Sequence, residues 1–385
     1  MVTSLSPSRV GLNEYGKIFL DTAANFKCHE FTFAADIDQS LDQSFEPPAN
    51  IKVCRIWRYN DILSCFKIAQ LALRERPDVV WFNLIITSFG DRGLPAFLGL
   101  MTPLMLRVLG FRCVTTLHHL SAFLDFSATR YRGYEIIFKL CGGIAEQLLA
   151  WSGPIALLLD KYVTYFKNHY LFSNAVRMHH GFYALQLPAA PQPSKHVLVF
   201  GKFGSYKKLD FPIEIFKSLR LIDSTYTMTI AGGSHPSYPG YYESFADQHG
   251  SIDGLDFIGY VSEQNLADVF SKAGVVLLPY SSATGVSGVA HLAASACVPV
   301  VAAEIEDFVA MAKEEHVGIK FFKPGDLAGA IHSITEIIND TSLWSELSTL
   351  SSRSSTNYSI ERVFESYMGL FESLVAHKSK QRSRR

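Results

Sequence analysis

What most limits this chain is an alternation, repeated through both halves, of short aliphatic or β-branched runs with longer amphipathic stretches. In the first half, strands are expected at Met1–Leu5, Glu30–Ala35, Ile51–Ile56, Val79–Leu84, Cys113–Leu117 and Ala175–His179. Helical periodicity falls between them at Asp61–Leu73, Leu94–Leu109 and Tyr134–Leu149. In the second half, strands are expected at Val197–Phe200, Tyr226–Ala231, Asp256–Val261, Val275–Pro279, Val298–Ala302 and Ile319–Phe322, each followed by a helical segment. Apolar strands this short, separated by helices, belong to a parallel sheet covered on both faces. A chain of 385 residues exceeds one ordinary domain and suits two. The fold class is therefore α/β, with two Rossmann-like domains whose parallel sheets face each other across a cleft. The expected division is 1–181 for the first domain and 196–358 for the second. A linker, 182–195, joins them and holds Pro188, Pro191 and Pro193. A helix over 359–376 is expected to close back on the first domain, ahead of a basic tail, 377–385.

Composition removes several functions. Hydrophobic residues make up 48% of the chain and charged residues 18%, which fills two cores and leaves little room for disorder. A net charge of −1 argues against a nucleic-acid partner, which calls for a basic surplus. The tail alone is basic, with Lys378, Lys380, Arg382, Arg384 and Arg385; it reads as a solvated terminus or as a contact for an anionic membrane surface. The six cysteines, Cys28, Cys54, Cys65, Cys113, Cys141 and Cys297, form no CxxC pair and fit free thiols in a reducing compartment. Met1–Ser6 is too short for the apolar core of a signal peptide. The longest apolar stretch, Gly93–Gly110, is interrupted by Pro95, Pro103 and Arg107 and falls short of the roughly 20 residues a bilayer span needs. The location expected is cytoplasmic, or peripheral on the inner membrane face, with Gly93–Gly110 read as core or as membrane contact.

In open parallel sheets ligands bind beyond the carboxyl ends of the strands, so the loops there are the ones to search. The first, after Val197–Phe200, reads Gly201-Lys202-Phe203-Gly204-Ser205-Tyr206-Lys207-Lys208. Backbone amides and two ammonium groups at one spot suit a diphosphate, although a turn with solvated lysines has the same composition. The second, after Val275–Pro279, runs from Tyr280 to His291 and leads into a helix. There Gly285 and Gly288 let a ligand approach the backbone, Val286 and Val289 lie between the small residues, and Thr284 and Ser287 add hydroxyls. Helix capping by those hydroxyls is the plainer alternative. No GxGxxG follows any strand, and no Walker loop is present. Asp36-Ile37-Asp38 spells D-x-D but follows a first-half strand and reads as a turn, so no metal site is expected.

The order G-K-F-G-S-Y-K-K, then Ile230-Ala231-Gly232-Gly233, Phe257-Ile258-Gly259, Pro279-Tyr280-Ser281 and Pro299-Val300-Val301 resembles family 4 of the retaining GT-B glycosyltransferases across almost the whole second half. That family's first motif, G-R-x-x-x-x-K-G, sets a basic pair on the donor phosphates. The resemblance assigns the pair to Lys202, where arginine is usual, and Lys207, beside Gly201. In the first half Gly11-Leu12-Asn13-Glu14-Tyr15 is similar to the family's acceptor-side glycine loop. Thr116-Leu117-His118 is similar to its strand ending in histidine, and His180-Gly181 to its "HG" before the second domain. The family's two glutamates, E-x7-E, fall here on Thr284 and Leu292; leucine cannot hydrogen-bond a ribose, and His291 is a candidate substitute. The arrangement T-G-x-S-G-V-x-H resembles a divergent exopolysaccharide-type subgroup.

The resemblance implies a retaining hexosyltransferase that uses a UDP- or GDP-linked sugar as substrate and needs neither cofactor nor obligatory metal. Its partners would be the nucleotide sugar and a glycan or lipid-linked acceptor, in polysaccharide or glycoconjugate synthesis. His118 would line the donor sugar, with His119 as rival and His179 and His180 structural; Asn13 and Glu14 would face the acceptor. A sugar-nucleotide 2-epimerase of the same fold and a non-catalytic nucleotide-binding protein are the alternatives.

Overall fold

A computed structural model describes residues 1–5, 12–37, 47–124, 133–204, 207–235, 238–282 and 285–382, with side chains as far as 376. The chain divides into two compact units. The first takes in Met1–Leu124, Tyr131–His180 and Ile360–Arg385, and the second Gly181–Ser359.

The first unit is built on strands β1 (Phe31–Asp36), β2 (Ile51–Trp57), β3 (Val80–Leu84), β4 (Cys113–Leu117), β5 (Ile155–Leu157) and β6 (Ala175–Arg177). β1 pairs with β2, and β3 to β6 pair in sequence order, all parallel. The strand expected at Met1–Leu5 is reduced to bridges at Val2, because it meets each neighbour at a single residue. Those bridges reach Ala34 on one side and Phe82 on the other, and so close the gap between the two sets of strands. β5 was not anticipated, since its three apolar residues merge with the end of the preceding helix.

Helix α1 (Asn13–Ala23) buries Tyr15, Phe19, Leu20 and Ala23 at helical spacing. Gly16 lies so close to the amino-terminal segment that a Cβ there would stand 2.2 Å from the Ser4 carbonyl oxygen. Against α1 packs the last helix, α14 (Ile360–Arg382), through Ile360, Val363, Phe364 and Tyr367. Each fully buried side chain of this kind contributes about 1.5–3 kcal/mol. The Tyr367 hydroxyl is 2.8 Å from Thr116 Oγ1, which also accepts from Trp81 Nε1 at 2.9 Å, so this contact is specific as well as apolar.

Helices α2 (Ser64–Glu75), α3 (Gly93–Leu100), α4 (Thr102–Val108), α5 (Glu135–Ser152) and α6 (Asp160–His169) complete the unit. The single helix expected over Leu94–Leu109 is two, broken at Met101, because Pro103 has no N–H and its ring would clash with a continuing turn. Pro95, Gly99, Leu100, Thr102, Pro103 and Leu106 of the stretch read as core or membrane contact are buried, whereas Leu94, Val108 and Leu109 at its two ends are exposed.

The second unit holds one six-stranded parallel sheet of β7 (His196–Phe203), β8 (Thr227–Ser234), β9 (Leu255–Gly259), β10 (Val275–Leu278), β11 (Val300–Ala303) and β12 (Ile319–Phe322). Its order is β12-β11-β10-β7-β8-β9. Helices α7 (Asp210–Ile222), α8 (Tyr241–His249), α9 (Glu263–Ser271), α10 (Gly288–Ser295), α11 (Glu306–Glu315), α12 (Leu327–Asn339) and α13 (Thr341–Asn357) surround it. Phe182, assigned from sequence to the linker, is buried here instead: its amide donates to Tyr358 O at 3.0 Å and its ring joins Ala294 and Val317. Among the described residues no helix is long and apolar enough to cross a membrane.

Candidate functional site

In the second unit the chain lays β8 and β9 to one side of β7 and β10, β11 and β12 to the other. The reversal between β7 and β10 is where open parallel sheets bind ligands. Gly201 and Lys202 end β7 opposite Gly232 and Gly233 of β8. Gly204 and Lys207 then exchange backbone hydrogen bonds of 3.0 and 2.9 Å, a closure that folds Lys207 back over the strand end. Lys207 Nζ comes within 3.5 Å of the point where a Gly201 side chain would begin, and lies 4.6 Å from the centroid of the Tyr280 ring beyond β10. A cation over an aromatic face gains about 0.5–2 kcal/mol, which holds the ammonium at the reversal. Lys202 is exposed beside it. His235, after β8, records both charges: burial first, then Lys202 and Lys207, push its pKa down.

The second loop meets the same strand ends. Gly285 has a left-handed φ of 82° and is buried, and its amide donates to Asp307 Oδ2 at 2.5 Å. Ser287 caps α10, its hydroxyl accepting from Ala290 N at 3.2 Å, as the plainer reading has it; the hydroxyl proton is still free to donate. Val286 is half-buried and Val289 buried. The amides of Gly288 and Val289, in the first turn, find no acceptor among the described residues, and a Cβ on Gly288 would meet nothing within 4 Å. This is an open, electropositive helix start. Thr284 and Gly11 lie outside the described residues.

His291 takes a different place from the one expected. It is buried against Phe182, ring centroids 4.5 Å apart, with Nδ1 2.7 Å from Ser287 O and Nε2 2.8 Å from Glu315 Oε2. A carbonyl oxygen only accepts, so Nδ1 carries a proton, and a second proton is held between Nε2 and the carboxylate. Both nitrogens are thus engaged inside the unit, which corrects the reading of His291 as a ribose ligand in place of Leu292.

In the first unit, His118 follows β4 and is buried; its Nε2 is 2.7 Å from Asn83 Oδ1. Asn83 Nδ2 donates to Thr3 Oγ1 at 3.1 Å, and Thr3 in turn donates to the Ser4 carbonyl. The chain of donors fixes the tautomer: Nε2 carries the proton and Nδ1 keeps its lone pair. Burial, reinforced by His180 and His119, holds the ring well below the usual histidine pKa, so it is neutral. Tyr15 packs edge-on to it at 4.9 Å and donates to His180 O at 2.6 Å. Asn13 is buried and Glu14 exposed in the first turn of α1. Asp36, from the D-x-D, is buried and accepts from Leu5 N at 3.0 Å, a structural task. Among the described residues no group of three or more His, Cys, Asp or Glu could hold a metal. A cavity of about 310 Å³ lined by Arg76, Asp78 and Arg112 opens at the amino ends of β3 and β4, the wrong end of the sheet for this chemistry.

Sequence reasoning missed His235, Asp307, Glu315 and Asn83. Only His235 left a signal, standing directly after the Gly232-Gly233-Ser234 strand end.

Comparison with known proteins agrees with the fold. Residues 194–340 match the family model described as glycosyl transferases group 1. No curated protein sequence matches the chain. Among solved structures, it is similar to sucrose-phosphate synthase from Thermosynechococcus elongatus, at 15% identity over 95% of this chain and 94% of that one, with a TM-score of 0.72. It is similar to Anabaena HepE in complex with UDP-glucose, at 15% identity over 97% and 98%, with a TM-score of 0.67. It is also similar to WaaG, a glycosyltransferase involved in lipopolysaccharide biosynthesis, at 13% identity over 94% and 98%, with a TM-score of 0.61. The fold is GT-B, with two Rossmann-like units, as the sequence resemblance implied.

Proposed function

Proceeding from a group 1 glycosyltransferase domain over residues 194–340, we propose that the protein transfers a hexose from a UDP- or GDP-sugar to a hydroxyl of a glycan or lipid-linked acceptor, with retention. The observation that carries this reading is the convergence of Lys202, Lys207 and the α10 amino terminus on the β7–β10 reversal. In such a transfer the bond from the anomeric carbon to the diphosphate breaks and a bond to the acceptor oxygen forms, while the acceptor's proton passes to the departing diphosphate oxygen. The charge that grows is on the departing diphosphate. Preformed cations and amides aimed at it stabilise the transition state without reorganising; one such donor is typically worth about 2.7–4 kcal/mol. Lys202, Lys207 and the amides of Gly288 and Val289 supply that field, and the two ammonium groups stand in for an obligatory metal. HepE's complex with UDP-glucose recommends a uridine donor as the first to try. His118 takes a sugar hydroxyl through the Nδ1 lone pair, Nε2 being committed to Asn83. Asn13 and Glu14 face the acceptor, and the setting is the cytoplasm or an anionic membrane face, in polysaccharide or glycoconjugate synthesis.

A second reading, a non-catalytic nucleotide-binding protein, is favoured by Leu292 and by the engagement of both His291 nitrogens, which leave the family's ribose contact unfilled. A thermal-shift panel of UDP-, GDP-, ADP- and dTDP-sugars, followed by a transfer assay, separates the two. A rise in Tm with one base, abolished in Lys202→Ala/Lys207→Ala while the protein stays folded, supports the donor site. Turnover by that double variant at the wild-type rate would remove the proposal; binding without any product would leave the second reading.

A further inference from the structure

The register of β7 on β8 sorts their side chains by face. Val197, Val199 and Phe203 of β7 and Met228 and Ile230 of β8 pack into one core, and the residues between them face the other way. At the carboxyl ends Lys202 pairs with Gly233 and Phe203 with Ser234. The ladder runs one step further, because His235 N donates to Phe203 O at 2.8 Å. His235 therefore falls on the face of Lys202 and Gly233, two residues beyond Gly233 on its own strand. Strands about 4.8 Å apart and two steps of about 3.3 Å leave roughly 8 Å between the Lys202 and His235 Cα atoms, a span that both side chains can close on one phosphate. The space they flank is open, since a Cβ on Gly233 would meet nothing within 4 Å. Tyr238 closes the space next to it. Its amide donates to His235 O at 2.7 Å, its ring centroid lies 6.3 Å from that of His235, and its Cγ stands 2.9 Å from where a Gly204 side chain would begin.

Resting on the donor-site reading above, we propose that His235 is a third phosphate-binding group of that site, and that it takes up a proton when the diphosphate of the nucleotide sugar passes over Gly233. In the unliganded protein burial, and then the charges of Lys202 and Lys207, hold its pKa below the ordinary histidine value, so the ring is neutral at neutral pH. Glu243 of α8 is engaged instead by Ser234, whose hydroxyl donates to it at 2.6 Å. A sugar diphosphate stays doubly anionic at neutral pH. It offsets the two ammonium charges and favours the imidazolium, which donates to a phosphate oxygen as a charge-assisted hydrogen bond. Of the three cationic side chains only a histidine ordinarily changes charge between about pH 5 and about pH 8. Binding and protonation are reciprocal, so a ligand that raises the imidazole pKa binds more tightly as the pH falls.

Titration calorimetry with UDP-glucose and GDP-glucose, in buffers of different ionisation enthalpy at about pH 6.5, reads the proton directly. The wild type should take up a fraction of a proton per ligand bound, and its affinity should rise from about pH 8 to about pH 6 by at most about tenfold per unit. His235→Gln should show neither the uptake nor the pH dependence, while still binding through Lys202 and Lys207. His235→Lys carries a charge throughout this range and should bind at about pH 8 at least as tightly as the wild type, with no uptake. The ladder bond from residue 235 is a backbone one and survives either substitution, and the Tm of each variant without ligand checks that it is folded. Binding to the wild type without proton uptake, or uptake that persists in His235→Gln, would overturn the role of His235 and leave the donor site standing. A wild type that binds neither nucleotide sugar would sink the donor-site reading and this inference with it.

Discussion

Gly232 and Gly233 end the same strand, yet alanine at each should do opposite things. Gly232 has a φ of 130°, and a Cβ on it would lie 1.8 Å from the Gly201 carbonyl oxygen and 2.8 Å from its carbon. Those are backbone atoms of the paired strand, so neither can swing aside; β8 must part from β7 beside Lys202. The positive φ costs a Cβ-bearing residue about 1–3 kcal/mol, and overpacking adds about 1–3 kcal/mol, for a loss of roughly 2–6 kcal/mol. At roughly 2–4 °C per kcal/mol for a domain of this size, Gly232→Ala should lower the Tm by on the order of 10 °C. A Cβ on Gly233 meets nothing within 4 Å. Gly233→Ala should therefore match or slightly exceed the wild type in stability, by about 0.4–1 kcal/mol at most. Its methyl group enters the space over the strand ends, however, and should abolish the thermal shift given by a nucleotide sugar. Scanning fluorimetry of both variants, with and without UDP-glucose, reads the two effects at once. Gly232→Ala melting with the wild type would refute the tight β7–β8 approach. A full ligand shift in Gly233→Ala would refute the passage of a diphosphate over this edge.

Two further outcomes follow from the buried histidines. His118 has a lowered pKa, so below about pH 6.5 the folded protein binds fewer protons than the unfolded chain and loses stability as the pH falls, by up to about 1.4 kcal/mol per pH unit. In urea unfolding the advantage of wild type over His118→Gln should thus narrow from pH about 7.5 to pH about 5.5; a difference independent of pH would contradict the neutral, buried ring. His291→Ala leaves the fully buried Glu315 carboxylate without its imidazole and should cost about 3–5 kcal/mol. Glu315→Gln keeps a hydrogen bond to Nε2 and should cost less than about 2 kcal/mol; equal losses in chemical denaturation would refute the pairing.

Where the physics is local, the sequence was legible. The strand expected at Ile319–Phe322 is found with the same bounds, because a short aliphatic and aromatic run between Gly318 and a Lys323-Pro324-Gly325 turn admits little else. Lys202 and Lys207 lie five positions apart, so their nearness at the end of β7 is equally a matter of local sequence. β5 was not, because Ile155–Leu157 is only three residues long and follows the apolar end of α5 after just Gly153 and Pro154; Gly153, with a φ of 155°, lets the chain pass the Cys113 carbonyl. Partners distant in sequence were equally hidden. Asn83 lies 35 residues from His118, Asp307 lies 22 from Gly285, and Glu315 lies 24 from His291. No local pattern encodes such meetings; they are products of strand order. His291 shows the consequence. Alone on a helix it reads as a ligand or as packing, and the buried carboxylate from another helix decides between the two.

That carboxylate also gives physical content to the departure at Thr284 and Leu292. The two acids that support the second loop come from the first and last turns of α11: Asp307 holds the Gly285 amide, and Glu315 meets the imidazole that holds Ser287. One helix therefore braces both the loop and the start of α10 from behind. A glutamate on α10 itself would add a negative charge close to the amides of Gly288 and Val289, weakening their pull on a second anion. With the acids moved behind the loop and committed to hydrogen bonds, Lys202, Lys207 and the helix start act on the strand ends less opposed. On the proposed donor site this arrangement favours the diphosphate over the ribose, so affinity should track the phosphates more than the sugar carried on them. UDP should then shift the Tm nearly as far as UDP-glucose, and uridine alone should shift it little; a uridine shift equal to that of UDP would place the recognition on the nucleoside and contradict this account.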